Sequence, residues 1–206
     1  MGTLSPRAEA KRRQITDAAR GLFLTHGFAR TSMDAVTAAA GVSKQTLYAY
    51  FPSKTDLLRA ILAELEANLP QPPALVRPAT REELRASLLG FAERVTDSLM
   101  RPEMIAVLRL VVGEAVHLPD VRSMLVEALP GALLARSVAL LRGAEANGLL
   151  TLDRPEIGAR LFVGGVMSYV MFGGLLSNEP PVAPDRDSLQ WLVDHYLRTL
   201  DFSDQP

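Results

Sequence analysis

The chain has 206 residues, three histidines, no cysteine and a formal net charge of −1. That length suits one large domain, or a small one followed by a larger one, and the lack of cysteine excludes disulfides and thiolate-bound zinc. His26, His117 and His195 are too scattered for metal-ligand spacing, so neither a metal nor a cofactor is expected. The opening residues are polar and basic, unlike a signal peptide. The longest apolar stretch, residues 161–176, has 16 residues where a spanning helix needs about 20. The expectation is a soluble, cytoplasmic protein with no membrane partner.

Charge is unevenly placed. Residues 1–60 hold nine Lys/Arg against four Asp/Glu, and residues 61–206 hold 13 against 19. A basic head on an acidic body suggests that one end meets a polyanion.

Helical signals run through the sequence in order. Ile15, Ala18, Ala19, Leu22, Phe23 and His26 give a first helix one apolar face. Gly27 then supplies a left-handed stop, and Phe28 is placed to fold back on the last turn. Ser32 caps a second helix with Asp34 in its first turn, and Gly41 ends it. Ser43 caps a third helix only two residues later. Ser53, with Asp56, caps a fourth lined by Leu57, Leu58, Ile61, Leu62 and Leu65. The stretch 70–80 contains Pro70, Pro72, Pro73 and Pro78 and reads as a loop. Thr80 and Glu83 cap a fifth helix ending near Met100, and a sixth spans about 102–118. The seventh is expected to break near Pro130-Gly131 and end at Asn147-Gly148. Pro155 opens a very apolar eighth, residues 178–184 form a loop, and a ninth runs from about 187 to 200. The expected fold class is all-α: an N-terminal three-helix domain over 1–52, then a larger helical domain over 53–206.

The chemistry concentrates between Ser32 and Tyr50. Two short helices joined by Ala40-Gly41-Val42-Ser43 fit a helix-turn-helix, with Gly41 taking the positive φ and Val36, Val42 and Leu47 filling the angle. Lys44, Gln45, Thr46 and Tyr48 then face outward on the first turns of the second helix. Amides and hydroxyls there suit base edges, and cations and phenols suit phosphates.

The run from Ile15 to Ile61, and GVSKQTLYAYFPSK above all, resembles the N-terminal domain of TetR-family regulators over about a quarter of the chain. The resemblance implies that Ser32 approaches a phosphate, that Lys44, Gln45 and Thr46 face bases or nearby phosphates, and that Tyr48 grips the backbone. It places Tyr50 toward phosphate and gives Lys54 a phosphate contact at a helix N-terminus. With the cap Ser43, these residues form the candidate DNA-contact set. Thr37 stands where the family often has alanine. The segment RLVVGEAVHLPDVRSML is similar to the AefR-like branch of the same family, which implies an architecture without naming a ligand.

The eighth helix is apolar all round, so every face needs cover. A two-fold four-helix bundle made with the ninth helix would supply it, and Phe162, Val166, Val170, Leu189, Leu192 and Tyr196 are the candidate dimer residues. Phe91, Met104, Leu108, Arg109, Val112, His117, Met167 and Tyr169 are candidates for lining an effector site, alongside the simpler reading that they fill a core. No Gly-rich phosphate loop or nucleophile–His–acid set points to an enzyme. The expected function is a repressor that binds double-stranded operator DNA as a homodimer and is released by a hydrophobic or amphipathic small molecule. The alternative is a helix-turn-helix adaptor acting through protein partners without such a ligand.

Overall fold

The computed structural model describes residues 5–68 and 77–202. Among these residues the chain folds into nine helices and one two-residue strand pair. The helices are α1 (Pro6–His26), α2 (Met33–Ala40), α3 (Lys44–Tyr50), α4 (Lys54–Asn68), α5 (Arg81–Leu99), α6 (Pro102–Ala115), α7 (Pro119–Ala146), α8 (Pro155–Leu175) and α9 (Arg186–Leu197). Most of the proline-rich stretch expected to be a loop, up to residue 76, lies outside the described residues. The chain divides into two compact units, residues 1–67 with 106–128, and residues 68–105 with 129–206.

In the first unit, each short helix begins where a side chain satisfies free N–H groups. Ser32 Oγ accepts from the Ala35 amide at 3.1 Å, and Ser43 Oγ from the Thr46 amide at 3.1 Å. Ser53 Oγ accepts from the Asp56 amide at 3.2 Å and donates to the Asp56 carboxylate at 2.6 Å. Ile15, Ala19, Phe23, Val36, Leu47, Phe51, Leu57, Leu58, Ile61 and Leu62 form the buried core. Phe28 does fold back, its ring meeting Phe23 edge-on at 5.1 Å. Gly27 has the expected positive φ of 82°, but its ψ of 153° is extended rather than left-handed helical, a combination nearly confined to glycine. His26 is exposed instead of completing the apolar face, while Thr16 is fully buried. The Thr16 hydroxyl donates to Glu64 Oε1 at 2.8 Å, and Arg20 also binds the Glu64 carboxylate, tying α1 to α4.

In the second unit, α5 and α8 enclose an apolar seam with α9 and the C-terminal half of α7. Phe91, Phe162 and Tyr196 make an aromatic column, with ring centroids 5.9 and 5.3 Å apart. α7 does not break at Pro130. It passes through a π-helical stretch, Glu127–Gly131, and continues to Ala146. Proline removes one N–H, and a π turn accommodates the lost bond without ending the helix. α8 ends in a similar stretch, Tyr169–Leu175. The strand pair, Leu150–Thr151 antiparallel to Asp201–Phe202, is a small departure from the all-helical expectation. Two residues per strand leave no alternation to read.

By length and apolarity alone, Pro119–Ala146 and Pro155–Leu175 reach the membrane-spanning range, beyond the expectation from the uninterrupted run. One side of α8 is nevertheless core, with Phe162, Val163, Val166 and Val170 at most 5% exposed. Core helices of globular proteins meet the same criterion, because burial in protein and burial in lipid select the same side chains.

Candidate nucleic-acid interface

The angle between α2 and α3 is set by Gly41, at φ 60° and ψ 40°, where a Cβ would be strained. Val36 and Leu47 are fully buried beneath the turn, and Val42 is half-buried. Gln14 Nε2 donates to the Ala40 carbonyl at 2.6 Å, and the Arg12 guanidinium lies 4.7 Å from the Phe51 ring centroid. These contacts seat the α2–α3 pair on α1, so the outward face of α3 is presented by a held framework.

That face has a graded availability. Gln45 and Tyr48 are exposed, and neither side chain makes a hydrogen bond among the described residues. Tyr50 is half-buried. Ser32 and Ser43 are exposed, yet their hydroxyls are used as helix caps. Thr46 is half-buried, and its hydroxyl lies 2.8 Å from Ser43 Oγ in a hydrogen bond. Its methyl and hydroxyl are therefore less free than expected. Lys44 is exposed but ion-paired, its Nζ 2.8 and 2.9 Å from the two Asp34 oxygens. The hydrogen bond and charge of Asp34 raise the Lys44 ammonium above the ordinary lysine range.

Lys54, expected to contact phosphate at a helix N-terminus, is already engaged within the chain. Its ammonium donates to the Phe28 carbonyl at 2.6 Å and the Ala29 carbonyl at 3.0 Å, and sits 4.5 Å from the Phe28 ring centroid. The loop after α1 ends with carbonyls pointing at the start of α4, and a cation there satisfies them. Lys54 thus holds the head together as well as carrying charge. Nothing in its spacing from Phe28 announces this, since the two residues meet only through tertiary folding.

The candidate effector residues are divided between the two units. Phe91, Met104, Met167 and Tyr169 fall in the second, whereas Leu108, Arg109, Val112 and His117 fall in the first. Phe91 is buried against Phe162, Met104, Met167 and Tyr169 are half-buried, and Leu108 is buried. Arg109, Val112 and His117 are exposed. Sequence reasoning missed Ser137 and took Tyr196 only as a dimer candidate, yet both hydroxyls are buried without a hydrogen-bond partner among the described residues of the second unit. Burial pushes the Tyr196 phenol well above its ordinary value.

The candidate dimer residues lie mostly inside one chain. Phe162, Val166, Val170, Leu189 and Tyr196 are 1–6% exposed within one chain, so they form part of its own core. Leu192 is half-buried. The open side of α8 instead carries Ile157, Leu161, Met171 and Phe172 at 49, 60, 40 and 71% exposure, with Leu176 just beyond at 65%. On α9, Trp191 is 65% exposed and stacks on His195 at 3.6 Å. A helix this apolar carries no periodic signal to distinguish its inner face from its outer one, so the sequence pattern did not separate core residues from exposed ones.

A capped, rigid two-helix reader with an exposed amide and phenol, on a basic head followed by a helical body, defines a DNA-binding regulator. Residues 15–61 match the family described as bacterial regulatory proteins, tetR family, and residues 86–199 match the AefR-like transcriptional repressor C-terminal domain. The chain belongs to the TetR family of transcriptional regulators. It is 29% identical over 149 residues to the HTH-type transcriptional repressor SCO4008 of Streptomyces coelicolor, covering 69% of each chain. A shorter match, 36% over 81 residues, is to the regulator MftR of Mycobacterium tuberculosis, covering 37% of this chain and 40% of that protein. Among solved structures, the flavonoid-responsive regulator FrrA superposes with a TM-score of 0.72 at 28% identity, covering 94% of this chain and 98% of that one.

Proposed function

We propose that the chain is a repressor that binds a pseudo-palindromic operator as a homodimer and is released by an amphipathic small molecule. The observation that carries the DNA reading is the outward face of α3, where Gln45 and Tyr48 are exposed and unpaired on a held framework. In this reading Gln45 and Lys44 supply contacts to base edges, Thr46 a methyl contact, and Tyr48, Tyr50, Ser32, Ser43 and Lys54 position the head on phosphates. Two heads held by one dimer would enter successive major grooves.

The open face of α8 supports the homodimer. Ile157, Leu161 and Phe172 repeat at helical spacing, and Gly164 between them meets nothing within 4 Å of a built Cβ. A second copy related by a two-fold axis would cover this stripe and bring small residues into close approach. Effector release is supported by the Phe91–Phe162–Tyr196 column, where the Tyr196 hydroxyl, without a hydrogen-bond partner among the described residues, would reward a ligand able to accept a hydrogen bond. FrrA is named as responding to flavonoids, which fits an aromatic ligand of this kind for the present chain as well.

The test is selection of duplexes from random-sequence DNA with the full-length protein, followed by titration of the recovered site. The expected result is an inverted repeat that Gln45→Ala binds about tenfold or more weakly, with little change on scrambled DNA, because a bidentate base contact is worth roughly 1–3 kcal/mol. Thr46→Ala should cost less, since its hydroxyl is already engaged with Ser43. Recovery of no preferred sequence would overturn the operator reading.

A further inference from the structure

The pairing of Asp34 with Lys44 joins the first turn of α2 to the first residue of α3 across the Gly41 turn. Both side chains are about two-thirds exposed. An exposed ion pair adds little to folding stability, so stability does not explain it. A cation at a helix N-terminus is disfavoured by the helix dipole, and the Asp34 carboxylate offsets that locally. The larger consequence concerns what the reading face shows to DNA. Lys44 is the only lysine or arginine in α3, and Asp34 cancels its charge at contact distance.

Sequence-independent affinity for DNA comes almost entirely from cations meeting phosphates, with release of condensed counterions. Specificity is the difference between operator and random DNA, and it improves when the random mode is penalised as well as when the operator mode is favoured. A carboxylate held beside Lys44 does this. It competes with phosphate for the ammonium and repels any phosphate that approaches the pair. It also restrains a flexible side chain to one place on the edge of the α3 face.

We propose that Asp34 is a specificity-determining residue: it suppresses phosphate binding by Lys44 and so lowers affinity for non-operator DNA. This rests on the reading that α3 faces the groove. Asp34 acts through Lys44 and needs no DNA contact of its own.

The experiment titrates full-length protein onto the selected operator duplex and a scrambled duplex across a salt series. Asp34→Asn should raise affinity for scrambled DNA by about threefold to tenfold and steepen its salt dependence by about one unit per head. Operator affinity should rise less, so the ratio between the two falls. Asp34→Ser should behave alike, and Asp34→Glu should stay near wild type. A loosened head would weaken binding to both duplexes, so a gain on scrambled DNA separates charge suppression from a merely structural role. If Asp34→Asn and Asp34→Ser leave scrambled affinity and salt slope unchanged, or lower them, the proposal is overturned. Lys44→Ala identifies the other failure. Reduced operator affinity in that variant supports the placement of α3, and no change on either duplex overturns the placement and the proposal together.

Discussion

The outward faces of α3 and α8 are both exposed, but they are unlike in what they leave unsatisfied. On α3 the free groups are an amide and a phenol, with one cation already neutralised by Asp34. On α8 they are Ile157, Leu161 and Phe172, with the exposed charges Glu156 and Arg160 confined to its first turns. Water satisfies the first set well, so α3 can wait exposed for a polar, charged partner. Water does not satisfy the second, so the α8 face favours a permanent cover of its own kind. One face therefore suits reversible recognition and the other constitutive assembly, and the contrast lies in the chemistry of the exposed groups, since exposure is common to both.

The largest expected effect comes from reversing the character of the α8 face. Leu161→Arg should leave the helical content intact and halve the mass found by sedimentation, because the new charge would be buried unpaired only in the assembly. Operator affinity should fall by about 100-fold or more, since the second head would no longer bind as an intramolecular event. Val166→Arg provides the contrast. Val166 is 1% exposed within the chain, so that variant should lose its fold by circular dichroism before any question of assembly arises. A Leu161→Arg protein that remains a dimer would show that the exposed stripe is not the self-association face.

A smaller effect is expected in the head. Lys54→Ala removes an ammonium that satisfies the Phe28 and Ala29 carbonyls. Hydrogen bonds to charged groups contribute about 1.5–3 kcal/mol, so the melting temperature should fall by several degrees. Affinity for operator and scrambled DNA should fall together. If affinity falls with no change in melting temperature, Lys54 acts as a phosphate contact alone, and the head depends less on that tie than its geometry implies.

Helix boundaries were legible because the caps are local. Ser32, Ser43, Ser53 and Thr80 each bond an amide three residues ahead, and that spacing is visible in the chain. The reading helix was legible for the same reason, together with the Gly41 turn. The partners of Lys44 and Lys54 were not, because Asp34 and Phe28 lie 10 and 26 residues away and meet them only after the helices pack. The inner face of α8 was illegible for a different reason. From Leu161 onward nearly every position is apolar, so periodicity vanishes, and only the packing of α5, α7 and α9 decides which residues are core.

The smallest effect belongs to the polar tie that holds α9 to α5. Arg85 Nε donates to Asp194 Oδ1 at 2.6 Å, and its Nη2 donates to Oδ2 at 3.1 Å. The Arg85 guanidinium holds the Asp194 carboxyl below the usual carboxylate range. A carboxylate whose folded value is depressed stabilises the fold fully above its unfolded value, and that contribution is lost as pH falls through the folded value. The window therefore opens near pH 4 and extends below it. Asp194 is 41% exposed in its side chain, so solvent screening limits the contribution to under about 1 kcal/mol. Asp194→Asn should lower the melting temperature by about a degree or two at pH 7. The difference from wild type should narrow as pH falls from 5 to 3. Trp191 lies three residues before Asp194 on the same helix, one turn away, so its fluorescence reports the same element during the titration. If the two proteins differ equally at both pH values, the bidentate contact acts through packing of α9, and the apolar face it helps to support does not depend on that charge.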